Sequence, residues 1–203
     1  MSQSKPVGLI LSGGRSTRMG GISKALVDFR GDTLLAHILQ RFAPQVDSVL
    51  LNIAPDQSEA LALYQGFGLP LVKDIKAGAK GPLMGLASAF KYLDGKSDIV
   101  LCPCDAPFVP DDLVLMLTKK MQNSHVDIVC PSYQGFLQPT FALWNKRVAP
   151  RVIQAAITEG AAGLKALYSE LSVAELNWPE EEINPFFNIN THEDLVTARR
   201  IAV

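Results

Sequence analysis

Short runs rich in β-branched residues alternate along this chain with longer segments whose apolar residues recur at helical spacing, and this alternation restricts the fold most strongly. Val7–Leu11, Val49–Ile53, Leu69–Val72 and Ile99–Cys102 read as strands. Leu34, Leu35, Ile38, Leu39 and Phe42 place an apolar stripe on a helix spanning Thr33 to Phe42. Ser58–Phe67, Leu83–Leu93 and Asp111–Gln122 read as further helices. Beyond residue 126 the pattern predicts strands at Val126–Cys130 and Phe136–Trp144, then helices at Lys146–Thr158 and Gly163–Leu171. A last strand-like stretch, Pro185–Asn190, leads into a helix from Glu193 to Ile201. Strands alternating with helices form βαβ units, so a mainly parallel sheet with mixed additions and helices on both faces is expected. No repeat, low-complexity tract or linker interrupts the 203 residues, and one α/β domain spanning 1–203 is the reading.

Composition removes several classes of function. Hydrophobic residues make up 48% of the chain and charged residues 19%, which suits a full core rather than disorder. The net charge is −1, and the scattered Lys and Arg form no basic stripe, so nucleic acid is not an expected partner. Val7–Leu11 is too short for a signal-peptide core or a membrane span, so no membrane association is expected. Cys102, Cys104 and Cys130 are odd in number and lack framework spacing, which suggests reduced thiols in a cytoplasm.

In sheets of this kind ligands bind outside the carboxyl ends of the strands. The loop after the first strand, Ser12 to Lys24, contains Gly13, Gly14, Gly20 and Gly21, which let backbone N–H groups approach an anion. Arg15, Arg18 and Lys24 add cations to the same loop. Backbone donors combined with cations suit a triphosphate, whose charge must be neutralised before a nucleophile can attack it. The spacing matches neither a P-loop nor a G-x-G-x-x-G dinucleotide fingerprint. A flexible surface loop with solvated charges is the alternative, and the cations directly after a strand argue against it.

Asp105 lies just past the strand Ile99–Cys102 in a Pro103-Cys104-Asp105-Ala106-Pro107 turn whose prolines stiffen it. Such an Asp either bonds nearby backbone N–H groups or holds a metal, and the upstream loop favours the metal. A single hard carboxylate suits Mg2+, which takes one or two carboxylates plus substrate phosphates. Zinc is disfavoured, because no C-x-x-C and no Cys/His cluster is present. Asn52 and Asp74 stand at strand ends, where they either cap loops or meet a ligand. Gly81 and Pro82 open a helix whose first turn either simply initiates it or offers N–H groups to a ligand. Asn188 and Asn190, two apart on the strand-like stretch, would share one face. They either face a cleft or serve the turn before Thr191, an expected N-cap.

Leu11-Ser12-Gly13-Gly14-x-x-x-Arg18-Met19-Gly20-Gly21-x-x-Lys24 resembles the signature of molybdenum cofactor guanylyltransferases, members of a nucleotidyltransferase superfamily with a Rossmann-like fold. The likeness continues through Gly81-Pro82-Leu83-Met84-Gly85, Cys102-Pro103-Cys104-Asp105-x-Pro107 and Asn188-Ile189-Asn190-Thr191, in the family's order and over nearly the whole chain. The chain departs from the pattern at Ser12, where Ala is usual, and at Ser23, where an Asp often precedes the lysine. The resemblance implies transfer of GMP from GTP to the terminal phosphate of molybdopterin, with release of pyrophosphate and dependence on Mg2+. It implies Arg18, Lys24 and Asp105 as catalytic residues, with the metal on Asp105. It further implies that Leu11, Ser12, Gly13, Gly14, Lys24, Asn52, Asp74, Gly81, Pro82 and Asp105 bind nucleotide, supported by Asn188 and Asn190. Proteins of molybdoenzyme maturation are the implied downstream partners. A CTP-dependent sister enzyme, a nucleotide-sugar enzyme and a non-catalytic nucleotide-binding protein are the alternatives.

Overall fold

The computed structural model describes residues 4–12, 23–54, 58–76 and 81–201. Its frame is an eight-stranded sheet built on four parallel strands: β1 (Val7–Leu11) lies at the centre, flanked by strands at Val49–Ile53 and Ile99–Pro103, with Leu71–Lys73 at one edge. In chain order the strands are β1, β2 (Asp28–Phe29), β3 (Asp32–Thr33), β4 (Val49–Ile53), β5 (Leu71–Lys73) and β6 (Ile99–Pro103). They continue with β7 (Ile128–Tyr133), β8 (Phe136–Leu137), β9 (Leu143–Trp144) and β10 (Val173–Asn177). The sheet order is β10-β7-β9-β6-β1-β4-β5, with β8 added to β7. β9 runs antiparallel between β6 and β7, and β8 antiparallel beside β7, which are the expected mixed additions.

Both faces of the sheet are covered, so β4 and β6 are buried throughout and β1 everywhere except Leu11, which is half-buried. Helices α1 (Leu34–Phe42), α2 (Ser58–Gln65) and α4 (Leu113–Ser124) close one face, over Ile10, Leu51 and Cys102. Helices α3 (Pro82–Tyr92) and α5 (Ala149–Ile157) close the other, over Leu9, Leu50 and Leu101. The pairing register explains the division: Leu9 stands opposite Leu50 and Leu101, and Ile10 opposite Leu51 and Cys102, so each row points to one face. The last helix, α6 (His192–Ile201), packs Leu195 and Ala198 with Phe29, Leu34 and Ile189 in a smaller cluster. No helix among the described residues is long and apolar enough to cross a membrane.

Several expectations change in the second half of the chain. The single strand expected at Phe136–Trp144 is two short strands separated by a 3-10 turn at Pro139–Phe141, because Pro139 supplies no ladder N–H. The helix expected at Gly163–Leu171 is only a 3-10 turn, Leu164–Leu167, which buries Leu164 and Leu167 one 3-10 turn apart. Pro185–Asn190 is not a strand: Phe186 stacks edge-on against Phe141 and Trp178, while Ile189 is buried in the α6 cluster. Two apolar residues serving separate clusters do not require a pleated backbone.

Asp127 locks the start of β7 to the start of β10. Its Oδ2 accepts from the backbone N–H (2.9 Å) and hydroxyl (2.7 Å) of Ser172, and its Oδ1 from Arg147 Nε at 2.6 Å. Burial alone would raise the carboxyl, but these Ser172 and Arg147 donors outweigh it and hold the group below its ordinary value. A depressed carboxylate pKa contributes stability above the unfolded value, about 3.9, that is lost as pH falls through the lower folded value. Asp127→Asn is therefore expected to destabilise the protein by about 1–2 kcal/mol at neutral pH. Denaturant titrations should show the difference from the unsubstituted protein shrinking as pH falls below about 4 and vanishing only below the lower folded value, where both carry a neutral side chain.

Candidate active site

The carboxyl ends of β1, β4, β5 and β6 bring together residues far apart in sequence. At the end of β6, the Cys104 N–H donates to Leu11 O at 3.2 Å, which fixes the turn carrying Asp105 beside the end of β1. Lys24 opens a 3-10 turn, Lys24–Leu26, and its Nζ donates to Asp105 Oδ2 at 2.9 Å and to Asn190 Oδ1 at 2.7 Å. The Lys24 and Asp105 side chains are 20% and 15% exposed, so the pair is accessible to a ligand but largely shielded from bulk water. The backbone places the third member: Ile189 N–H donates to Asp105 O at 2.8 Å. The Asp194 carboxylate accepts from the N–H groups of Asn190 (2.9 Å) and Thr191 (2.8 Å), and the Asp194 N–H donates to Thr191 Oγ1 at 3.1 Å. This reciprocal cap makes Thr191 the expected N-cap of α6 and anchors Asn190 in front of Lys24.

Asn188 lies beside them: its Nδ2 reaches Phe186 O at 3.4 Å and its carbonyl accepts from Asn190 Nδ2 at 3.5 Å, while Phe187 and Ile189 both pack into the α6 cluster. Gly13, Gly14, Arg15, Arg18, Gly20 and Gly21 lie outside the described residues.

Beside Leu11, its partner in the register, Asn52 is buried and donates through Nδ2 to Val72 O (3.1 Å) and Asp74 Oδ1 (2.8 Å). The Asn52 amide thus orients the Asp74 carboxylate at the sheet end. Its own Oδ1 lies against Gly85, where a β-carbon would collide with it and with Leu11. Gly85 therefore costs α3 helix propensity and in return admits a carboxamide into the space between helix and sheet. At the start of α3, Gly81 adopts φ +92° against Ala162 O, Pro82 carries no N–H, and Leu83 N–H donates to that same carbonyl at 3.2 Å. Fewer first-turn donors are left for a ligand than an open helix N-terminus would offer.

Ser12 is buried, and its Oγ pairs with Tyr64 OH at 2.6 Å, while Tyr64 OH also pairs with Ser23 Oγ. Sequence reasoning missed both Tyr64 and the role of Gly85. Tyr64 reads as one more apolar position of a helix, and its partners lie 52 and 41 residues away.

The donors present fit a divalent hard cation. Asp105 supplies carboxylate oxygen at the mouth of the site, with the Asn190 carboxamide beside it, and no group of three or more His, Cys, Asp or Glu ligands occurs among the described residues. One carboxylate with the remaining positions left to phosphate and water is how Mg2+ is held. The neighbouring thiols are not competing ligands: burial, then the charge of Asp105, pushes Cys104 up to about 12, and burial raises Cys102 as well. Both remain protonated at neutral pH.

A family model described as the MobA-like NTP transferase domain matches residues 8–175. The molybdenum cofactor guanylyltransferase of Rhodopseudomonas palustris (strain BisB5) is 33% identical over 199 residues, covering 96% of this chain and 93% of that protein. Among solved structures, molybdopterin-guanine dinucleotide biosynthesis protein A of Archaeoglobus fulgidus superposes with a TM-score of 0.79 at 23% identity, covering 96% of this chain and 97% of that one. Rv0371C of Mycobacterium tuberculosis H37Rv, solved in complex with manganese, gives a TM-score of 0.69 at 18% identity, covering 98% of this chain and 100% of that one.

Proposed function

This chain belongs to the MobA-like NTP transferase family, and from that membership we propose that it transfers GMP from GTP to the terminal phosphate of molybdopterin, releasing pyrophosphate. The observation that carries the chemistry is the contact of Lys24 with Asp105 and Asn190 at the carboxyl end of the central strands. A cation and a carboxylate at that edge suit a reaction that needs charge neutralisation and alignment rather than proton abstraction. The nucleophile is a phosphate monoester, whose second pKa of about 6 leaves it largely ionised at neutral pH, so no general base is required. An oxygen of that phosphate forms the new bond to the α-phosphorus, and the bond to the bridging α,β-oxygen breaks.

Asp105 is the residue that would hold Mg2+, which when bound withdraws charge from the nucleotide phosphate oxygens. Lys24 and Arg18 bind and neutralise the triphosphate. Leu11, Ser12, Gly13, Gly14, Asn52, Asp74, Gly81 and Pro82 line the nucleotide site in this reading. Asn52 keeps the Asp74 carboxylate turned toward the sheet end, where a base presenting N–H donors would meet it. Asn190 steadies Lys24. The buried free thiols agree with a cytoplasmic location.

The preference for guanine rests on the relatives' activity and on hydrogen-bond patterns. Guanine presents N–H donors beside a carbonyl acceptor, whereas cytosine presents one amino donor beside acceptors. Mismatched polar groups left unpaired cost about 1–3 kcal/mol each, so kcat/KM for GTP should exceed that for CTP by at least about 10-fold. Pyrophosphate release is measured with each nucleotide, with and without molybdopterin. Release dependent on molybdopterin and faster with GTP is expected. An equal or higher kcat/KM with CTP would overturn the guanylyl assignment, and no release with any nucleotide would overturn the transferase reading.

A further inference from the structure

Tyr64 joins the two chain ends that flank residues 13–22. Its hydroxyl meets Ser12 Oγ at 2.6 Å, just past β1, and also Ser23 Oγ, just before Lys24. The ring is fully buried in the same cluster as Ala25, the residue after Lys24. Ser23 stands at the N-cap of the turn that carries Lys24, a place where a serine ordinarily bonds its own turn. Here the Ser23 side chain makes no capping bond and is committed to Tyr64 instead. Burial raises the Tyr64 phenol above its ordinary value, and the Ser12 and Ser23 hydrogen bonds only partly oppose this, so it keeps its proton and can donate and accept at once. Ser12 and Ser23 are also positions at which the sequence departs from the pattern it resembles.

We propose that Tyr64 is a positioning residue for nucleotidyl transfer, tying Ser12 to Ser23 and thereby holding Lys24 in register with Asp105. This rests on the transferase reading for its effect on rate, but not for its effect on Lys24. Nothing in the contact requires Tyr64 to touch substrate. It acts through the backbone between Ser23 and Lys24.

Tyr64→Phe removes the hydroxyl and keeps the ring. In the ligand-free protein, acylation of Lys24 by an amine-reactive ester, read by mass spectrometry, is expected to rise several-fold. The exposed Lys96 serves as an internal reference that stays constant. In the pyrophosphate assay kcat/KM is expected to fall roughly 10- to 100-fold, mainly through kcat, as for a misplaced reacting group. Added to Lys24→Ala, Tyr64→Phe should cost less than about 2-fold more, since residues acting through one contact are not additive. Ser23→Ala, which leaves the core untouched, should reproduce both signatures, and Ser23→Thr should restore them. Unchanged Lys24 labelling in both Tyr64→Phe and Ser23→Ala overturns the proposal, as do fully multiplicative effects of Tyr64→Phe and Lys24→Ala. If the unsubstituted protein releases no pyrophosphate, the transferase reading fails and the labelling alone decides whether Tyr64 positions Lys24.

Discussion

Asp105→Asn is expected to lower kcat/KM for nucleotidyl transfer by about 10³-fold or more, because a Lewis-acid cation supplies several kcal/mol of charge stabilisation. The substitution preserves shape, and an asparagine oxygen can still accept from Lys24. What it removes is the negative charge that makes the site favourable for a divalent ion. The accompanying change in stability is expected to be small beside the loss of rate, because Lys24 keeps its Asn190 contact and can still donate to the asparagine oxygen. The measurement is steady-state kinetics over a wide range of Mg2+, alongside thermal unfolding. Turnover near that of the unsubstituted enzyme at saturating Mg2+ would remove Asp105 from the metal site.

Lys24→Ala should lower kcat/KM by roughly 10²-fold, the loss associated with one donor aimed at developing charge. The effect belongs in kcat more than in KM if the ammonium interacts more strongly with the transition state than with bound nucleotide. The geometry adds a test that separates the two residues. Lys24 Nζ sits 2.9 Å from Asp105 Oδ2, so in the free enzyme it competes with a metal for that carboxylate. Deleting the cation should therefore leave the Mg2+ concentration for half-maximal rate unchanged or lower, whereas Asp105→Asn should raise it. Unchanged kcat with unchanged nucleotide affinity in Lys24→Ala would return the lysine to a solvated surface role.

The central strands were legible because burial on both faces writes them as continuous apolar runs, and Val7–Leu11 and Val49–Ile53 appear with the expected limits. The strand β10 was not, because Val173–Asn177 is half exposed at the sheet edge and carries Glu175 and Asn177 among its apolar residues. The hairpin of β2 and β3 was invisible for another reason. Its strands are two residues long, and only the Arg30-Gly31 turn, with φ of 57° and 89°, marks it. The stretch Pro185–Asn190 shows the same limit: its apolar residues suggested a strand, yet Phe186 and Ile189 seat in different clusters and the segment pairs with no strand.

By itself the sequence determined the α/β architecture and the residue types placed at the carboxyl ends of the strands. Periodicity and turn chemistry act over a few residues, so they survive in a linear reading. The tertiary structure alone decided which of those residues meet. Lys24 finds Asp105 and Asn190 across 81 and 166 residues, Asn52 orients Asp74 across 22, and Tyr64 joins Ser12 to Ser23. Such contacts follow from strand order and register, which depend on how the helices pack over the sheet and which no local pattern records.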